Sequence, residues 1–310
     1  MLFSNIIDTI GHTPMVEIQR MSPKPKVHMY AKLEGQNPTG SVKDRIAKYM
    51  IEKAEADGSL TKDKIILEAT SGNTGISLAM IARYKGYRLK VVMPENVSHE
   101  RRQLLQLYGA EIILSDGQRG TNGSIQVAQD MAKDSKYFMP FQYGNPANPL
   151  AHYETTGVEI LKDLPKVDVF VAGLGTGGTL MGVGRRLKEK NKETKIIAAA
   201  PHPEDLIQGL RSLEDGFIPP ILDLKMLDGR IMIDSKTAFR AARELTDKEG
   251  IFAGISCGAV VACARQVASR MTEGNIVCLL ADGGWKYLST ELWTHDYADL
   301  AKDVKGKIWW

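Results

Sequence analysis

"NPTGSVKDR", residues 37–45, places Lys43 directly after a Pro-Thr-Gly-Ser turn and at the opening of a helical pattern. Lysines mostly lie exposed, and a solvated charge beside Asp44 and Arg45 is the plain reading of this one. Three loops change that reading. "EATSGNTGIS" (68–77) follows a strand pattern and opens a helical one, so its backbone N–H groups lack partners and face one spot, as in an anion site. Thr70, Ser71, Asn73 and Thr74 add hydroxyls and an amide there. A helix cap accounts for a Ser or Asn, but not for a whole run of small and polar residues. "GLGTGGT" (173–179) matches G-x-G-x-x-G at Gly173, Gly175 and Gly178, so a dinucleotide-binding fold competes. That fold needs an acid near the end of the next strand to hold a ribose hydroxyl. The next strand pattern, "KIIAAA" (195–200), runs into Pro201 instead. Gly175, Thr176, Gly177, Gly178 and Thr179 can cradle a single phosphate through backbone N–H groups, with the two threonines as hydroxyl donors. "AGISCGAVV" (253–261) puts Ser256 at a third such turn, which helix capping alone would explain.

A phosphate cup, a carboxylate-sized anion loop, a turn-borne lysine and a serine at a loop tip together suit one ligand: pyridoxal phosphate carrying an amino acid. Only an amine forms an imine with that aldehyde, which is the chemistry open to Lys43.

Such loops need rigid strands and helices behind them. Short apolar runs recur at 64–69, 89–94, 111–116, 137–141, 167–173, 195–200 and 275–282. They read as buried strands, and helical patterns such as 75–86 and 99–110 lie between them. Strands alternating with helices predict an α/β architecture of parallel-rich sheets. The stretch "QYGNPANP" (142–149) is the best hinge between two lobes.

The totals fit an ordinary soluble globular protein. With 310 residues, 43% apolar and 25% charged, the chain can bury a full core. A net charge of +3, with both signs interspersed, gives no reason to expect nucleic acid. Cys257, Cys263 and Cys278 form no CxxC pair, so no zinc site or disulfide framework is indicated, and a reducing cytoplasm fits. No signal peptide and no membrane-spanning run is read.

"NPTGSVKDR", "EATSGNTG", "QYGNPANP", "GLGTGGT" and "GISCGA" stand in the order of the motifs of the cysteine synthases, and the sequence resembles that family over nearly its whole length. These are fold-type II pyridoxal-phosphate enzymes of the tryptophan synthase β-like class. The resemblance implies two doubly wound domains with the active site between them: residues 40–145 as a smaller mobile domain, and 1–39 with 146–310 as a larger cofactor-binding one. It implies that Lys43 is the Schiff-base lysine, that Asn73 contacts the ring hydroxyl and that residues 175–179 hold the phosphate. Ser256 would face the pyridine nitrogen, and Thr70, Ser71, Thr74 and Gln142 the substrate carboxylate. A neutral Ser256 does not enforce a protonated pyridine as a carboxylate would, which favours replacement over racemisation. Asn37 and Arg45 read as turn and surface residues.

"MPENVSHERRQLLQLYGAEII" and "ADGGWKYLST" resemble the B-type branch. Arg211, in "IQGLRSLEDGF", stands where the A-type branch has a small residue, and its fork suits phosphate or thiosulfate. A surface arginine paired with Glu214 or Asp215 is the alternative. The tail "KDVKGKIWW" resembles those of B-type enzymes that use O-phosphoserine and a protein-bound thiocarboxylate, so Trp309 and Trp310 could reach the site. The expected activity replaces the O-substituent of an activated L-serine with sulfide, a thiocarboxylate or thiosulfate, in a cytoplasmic homodimer, with a sulfur-carrier protein as a further partner. A serine/threonine dehydratase, a cystathionine β-synthase or a non-catalytic scaffold are the competing readings.

Overall fold

The structure is a computed structural model, and it describes residues 1–70, 72–97, 99–203, 205, 207–290 and 293. Ten strands form two sheets among them. The strands are β1 (Met15–Glu17), β2 (Val27–Leu33), β3 (Ile65–Ala69), β4 (Arg88–Pro94), β5 (Glu111–Ser115), β6 (Tyr137–Phe138), β7 (Val169–Gly173), β8 (Lys195–Pro201), β9 (Gly229–Ile233) and β10 (Gly274–Leu280). The helices are α1 (Lys43–Ala56), α2 (Asn73–Lys85), α3 (His99–Leu107), α4 (Gly120–Met131), α5 (Ala147–Ala151), α6 (Gly157–Asp163), α7 (Gly178–Lys190), α8 (Ser235–Glu249) and α9 (Ile255–Arg270), with one π-helical turn, His152–Thr156, joining α5 to α6.

The smaller sheet runs β5-β4-β3-β6, all parallel. The larger runs β1-β2-β10-β7-β8-β9, parallel except for the antiparallel β1–β2 pair. Parallel strands must be covered on both faces. Every residue of β3 is accordingly buried, as is α2 from Thr74 to Ala82, which explains an α2 sequence apolar on nearly all sides. Two extended apolar clusters flank the larger sheet, one built on α8 and α9 and one on α7.

The strand order decides where a ligand can go. In the smaller sheet the chain leaves β3 for β4 on one side and later returns to β6 on the other. In the larger sheet it leaves β7 for β8 and returns to β10 on β7's other side. Helices before and after such a reversal lie on opposite faces, which opens a crevice beyond the strand's carboxyl end. Thr70 and Gly72 follow β3 and residues 174–177 follow β7, so both small-residue segments occupy such crevices.

The predicted runs at 64–69, 89–94, 111–116, 167–173, 195–200 and 275–282 are strands. The run at 137–141 pairs only over Tyr137–Phe138, because Pro140 has no N–H to give and Phe141 takes a positive φ of 51°. Strands β1, β2 and β9 carry more polar patterns and do not read as buried runs.

Candidate active site

Lys43 is the first residue of α1, and the turn before it is clamped to the end of β10. Val42 N–H donates to Ala281 O at 2.8 Å, and Ser41 bridges to Asp282. Gly40 makes that approach possible: its φ is +79°, and a Cβ there would lie 2.6 Å from the Trp285 ring. Asp44, fully buried, accepts from Thr39 N–H at 2.7 Å and from the Thr39 and Ser77 hydroxyls, pinning the turn from behind. Burial pushes the Lys43 ammonium below its usual pKa, against the opposing charges of Asp282 and Glu34.

Lys43 opens into a cavity of about 230 Å³ between the two sheets. Thr70, Gly72, Asn73, Thr74 and Gln142 line it from the smaller sheet, and Gly175, Thr176, Gly209 and Arg211 from the larger. Gly177, Gly178 and Thr179 continue from Thr176 into the first turn of α7. Ser256 is buried in the first turn of α9 behind Gly209, where an added Cβ would come within 3.6 Å of Ser256 Oγ. Ser71, Trp309 and Trp310 lie outside the described residues.

The hydrogen bonds show what each group has left to offer. Thr176 Oγ1 accepts from Asn148 Nδ2 at 3.0 Å and from Gly178 N–H at 3.3 Å, so its own proton is available to the cavity. Gly178 lies under Asn148, where a Cβ would come 1.8 Å from Oδ1. Thr179 Oγ1 lies 3.2 Å from Nε2 of His152, whose pKa is held well below the usual value by burial and by the Arg45 and Lys43 charges. Thr74 donates to Gln142 Oε1 at 2.7 Å, leaving the Gln142 –NH₂ end for a carboxylate. The Gln142 and Phe141 N–H groups are fixed by the Glu68 carboxyl at 3.2 and 2.7 Å. Burial pushes Glu68 up to about 8 despite those bonds. A hydroxyl cup at a helix N-terminus, in one cavity with an amine of lowered pKa, fits pyridoxal phosphate.

Arg211 does not pair with Glu214, whose carboxylate is held instead by Arg230 at 2.7 Å and by Ser212 at 2.6 Å. Its guanidinium donates to Asn122 Oδ1 at 3.1 Å and lies 5.3 Å from the Tyr143 ring centre and 4.9 Å from that of Phe217. Arg101, Arg119 and the start of α4 share the same wall of the cavity.

One expectation needs correction. Arg45 is not a surface residue: it is 1% exposed and bonds Glu34 and Glu159 at 2.7–2.8 Å. Asn37 is also buried and donates to the Glu34 carboxylate at 2.8 Å. A charged residue next to a turn looks solvated until its counterions are known, and Glu159 is 114 positions away. The sequence reading also missed Arg101, Gln208, Asp282, Lys286 and Tyr287. "ADGGWKYLST" contains the last three, but no spacing rule marks a strand end followed by a short helical turn as part of a site.

Residues 6–282 match the pyridoxal-phosphate dependent enzyme family. The cysteine synthase of Staphylococcus aureus (strain Mu50 / ATCC 700699) is 43% identical over 302 residues, 94% of this chain and 97% of that protein. Among solved structures, an O-ureido-L-serine synthase superposes with a TM-score of 0.90 at 42% identity, over 97% of this chain and 100% of that one. A cysteine synthase from Entamoeba histolytica gives 0.89 at 36% identity, over 99% and 96%. A hydrogen sulfide-producing enzyme from Fusobacterium nucleatum gives 0.84 at 44% identity, over 93% and 98%. With Lys43, Thr70, Asn73, Thr74, Gly175 and Thr176 all lining one inter-sheet cavity, this chain belongs to the pyridoxal-phosphate dependent enzymes.

Proposed function

We propose that the protein is a cysteine synthase that replaces the O-substituent of an activated L-serine, O-phospho-L-serine before O-acetyl-L-serine, with a sulfur nucleophile. The observation that carries the substrate choice is Arg211, held in the cavity wall by Asn122 and two aromatic rings rather than by Glu214.

Bound pyridoxal phosphate supplies the electron sink that makes the α-proton of the amino acid acidic. The chain's residues do the rest. Thr176 and the first N–H groups of α7 hold the phosphate. Asn73 meets the ring oxygen and Ser256 the ring nitrogen. Thr70, Ser71, Thr74 and Gln142 hold the substrate carboxylate and so fix which bond at the α-carbon stands beside Lys43. Lys43 Nζ, with its pKa lowered by burial, takes the α-proton and returns it after the sulfur has added. Arg211 neutralises the departing phosphate. Closure of the smaller domain, residues 40–145, over the larger, residues 1–39 and 146–310, excludes water during this sequence. All four strands of the smaller sheet fall inside the first range, and β1 and β2 pair with the second through β10.

The sulfur donor is sulfide, thiosulfate or the thiocarboxylate of a sulfur-carrier protein, and the working form is a cytoplasmic homodimer. Among the described residues no helix is long and apolar enough to cross a membrane. Steady-state rates with O-phosphoserine and O-acetylserine, each with sulfide and with thiosulfate, test the proposal. Release of pyruvate and ammonia unaffected by any sulfur donor would make the protein a dehydratase instead.

A further inference from the structure

Asn73 lies between two groups of opposite charge. Lys286 Nζ donates to Asn73 Oδ1 at 2.7 Å, and Asn73 Nδ2 donates to Asp282 Oδ2 at 2.8 Å. Tyr287 OH donates to the same Asp282 oxygen at 2.6 Å. An ammonium can only donate and a carboxylate can only accept. The two neighbours therefore dictate which end of the amide faces each of them. Both are deeply buried, Lys286 at 6% and Asp282 at 3% exposure, so neither is replaced by water without cost. Among the described residues one hydrogen of Nδ2 has no acceptor, on a residue that lines the cavity.

We infer that Lys286 is a positioning residue: with Asp282 it locks the Asn73 amide so that only an N–H is presented to the cofactor's ring oxygen, which keeps that oxygen anionic. The inference rests on the assignment of Asn73 to the ring oxygen. An unlocked amide could turn its carbonyl toward the ring, where it would accept from a phenol and favour the protonated form. The charges around Lys286 come from several elements. Asp282 on its own segment and Asp44 on α1 attract it, whereas Arg101 on α3 and Lys43 on α1 repel it. Burial is the largest influence and brings the ammonium down to about 8, so the donor-only state holds at neutral pH and is lost above it.

The test reads the bound cofactor's absorbance in the resting holoenzyme, where a yellow form reports the ring phenolate and a colourless near-ultraviolet form the phenol. Lys286→Met should raise the colourless fraction several-fold at pH 7, and Lys286→Arg should restore the wild-type spectrum. In the wild type the yellow fraction should decline as pH rises through about 8. In Lys286→Arg it should not, because a guanidinium keeps its proton. Asn73→Ala should produce the same colourless shift, and the double variant should go no further. If Asn73→Ala changes nothing, the ring-oxygen assignment is wrong and the inference falls with it. If Asn73→Ala shifts the spectrum but Lys286→Met does not, the assignment stands and the locking role is overturned. Should Lys286→Met not fold, Lys286→Gln decides. Its amide can accept as well as donate and no longer dictates the end it faces, so an unchanged spectrum there overturns the inference.

Discussion

Replacing Arg211 with Ala isolates the contact that separates two substrates alike except at the leaving group. O-phosphoserine carries close to two negative charges there and O-acetylserine none. The partners described for Arg211 are neutral: Asn122 Oδ1 at 3.1 Å and the rings of Tyr143 and Phe217. Its charge is thus held in place without a described carboxylate to cancel it, which is the condition under which a guanidinium binds phosphate well. A charge-assisted hydrogen bond of this kind contributes about 1.5–3 kcal/mol, or roughly ten- to a hundred-fold in kcat/KM. Removing the guanidinium from the two rings costs about 0.5–1 kcal/mol for each, but that cost falls on the packing of Tyr143 and Phe217 and touches both substrates alike. The measurement is the ratio of kcat/KM for the two substrates at fixed sulfide. It should fall by about ten- to a hundred-fold in Arg211→Ala, and less in Arg211→Lys, which keeps charge but loses the fork. An unchanged ratio would refute the reasoning. A wild type that hardly uses phosphoserine, in a series where the variant loses thiosulfate turnover, would instead assign the arginine to the sulfur donor.

Lys43→Ala should lose both turnover and the yellow colour of the bound cofactor, since no other amine is assigned the imine; a yellow and active variant would sink the assignment. Gly178→Ala forces a Cβ to 1.8 Å from Asn148 Oδ1, so the cup must open, and cofactor retention on dialysis should fall by about an order of magnitude or more while far-ultraviolet dichroism persists. Arg45→Met leaves the fully buried Glu34 without its main counterion and should cost about 3–5 kcal/mol in chemical denaturation. Glu159 sets an acid limit: burial pushes its carboxyl up, but Arg45 and then Lys32 pull it from 4.5 to about 2. A depressed carboxylate stabilises the fold above its unfolded value, so stability should be lost as pH falls from about 4.5 toward 2, and Glu159→Gln should flatten that part of the curve.

The portion of this site that the sequence revealed has a common cause. Lys43, the 70–74 loop and the 175–179 loop are each defined by their own neighbours: a turn, a glycine, a strand before and a helix after. Local composition is enough to place them, and the strand order then puts two of them in crevices that line one cavity. The buried strands were legible for the same reason, since a parallel strand covered on both faces is an unbroken apolar run. What stayed hidden depends on distance along the chain. Arg45 looks like a surface charge because its counterions, Glu34 and Glu159, come from other segments. Asn73 stands out in its loop, but the two charges that hold its amide are 209 and 213 positions away. Gly283 and Gly284 follow Asp282, but no strand-loop-helix pattern of the kind found at 70–74 or 175–179 marks this segment. Asp282 and Lys286 matter because the turn carrying Lys43 packs on the end of β10, which brings Lys43, the Asn73 amide and two buried opposite charges close together. The motifs therefore report the loops that line the cavity proposed for the cofactor. How its electronic state is set depends on the seam between the two sheets, where Asn73 from one meets Asp282 from the other, and substitutions in that seam should alter the spectrum before they alter the fold.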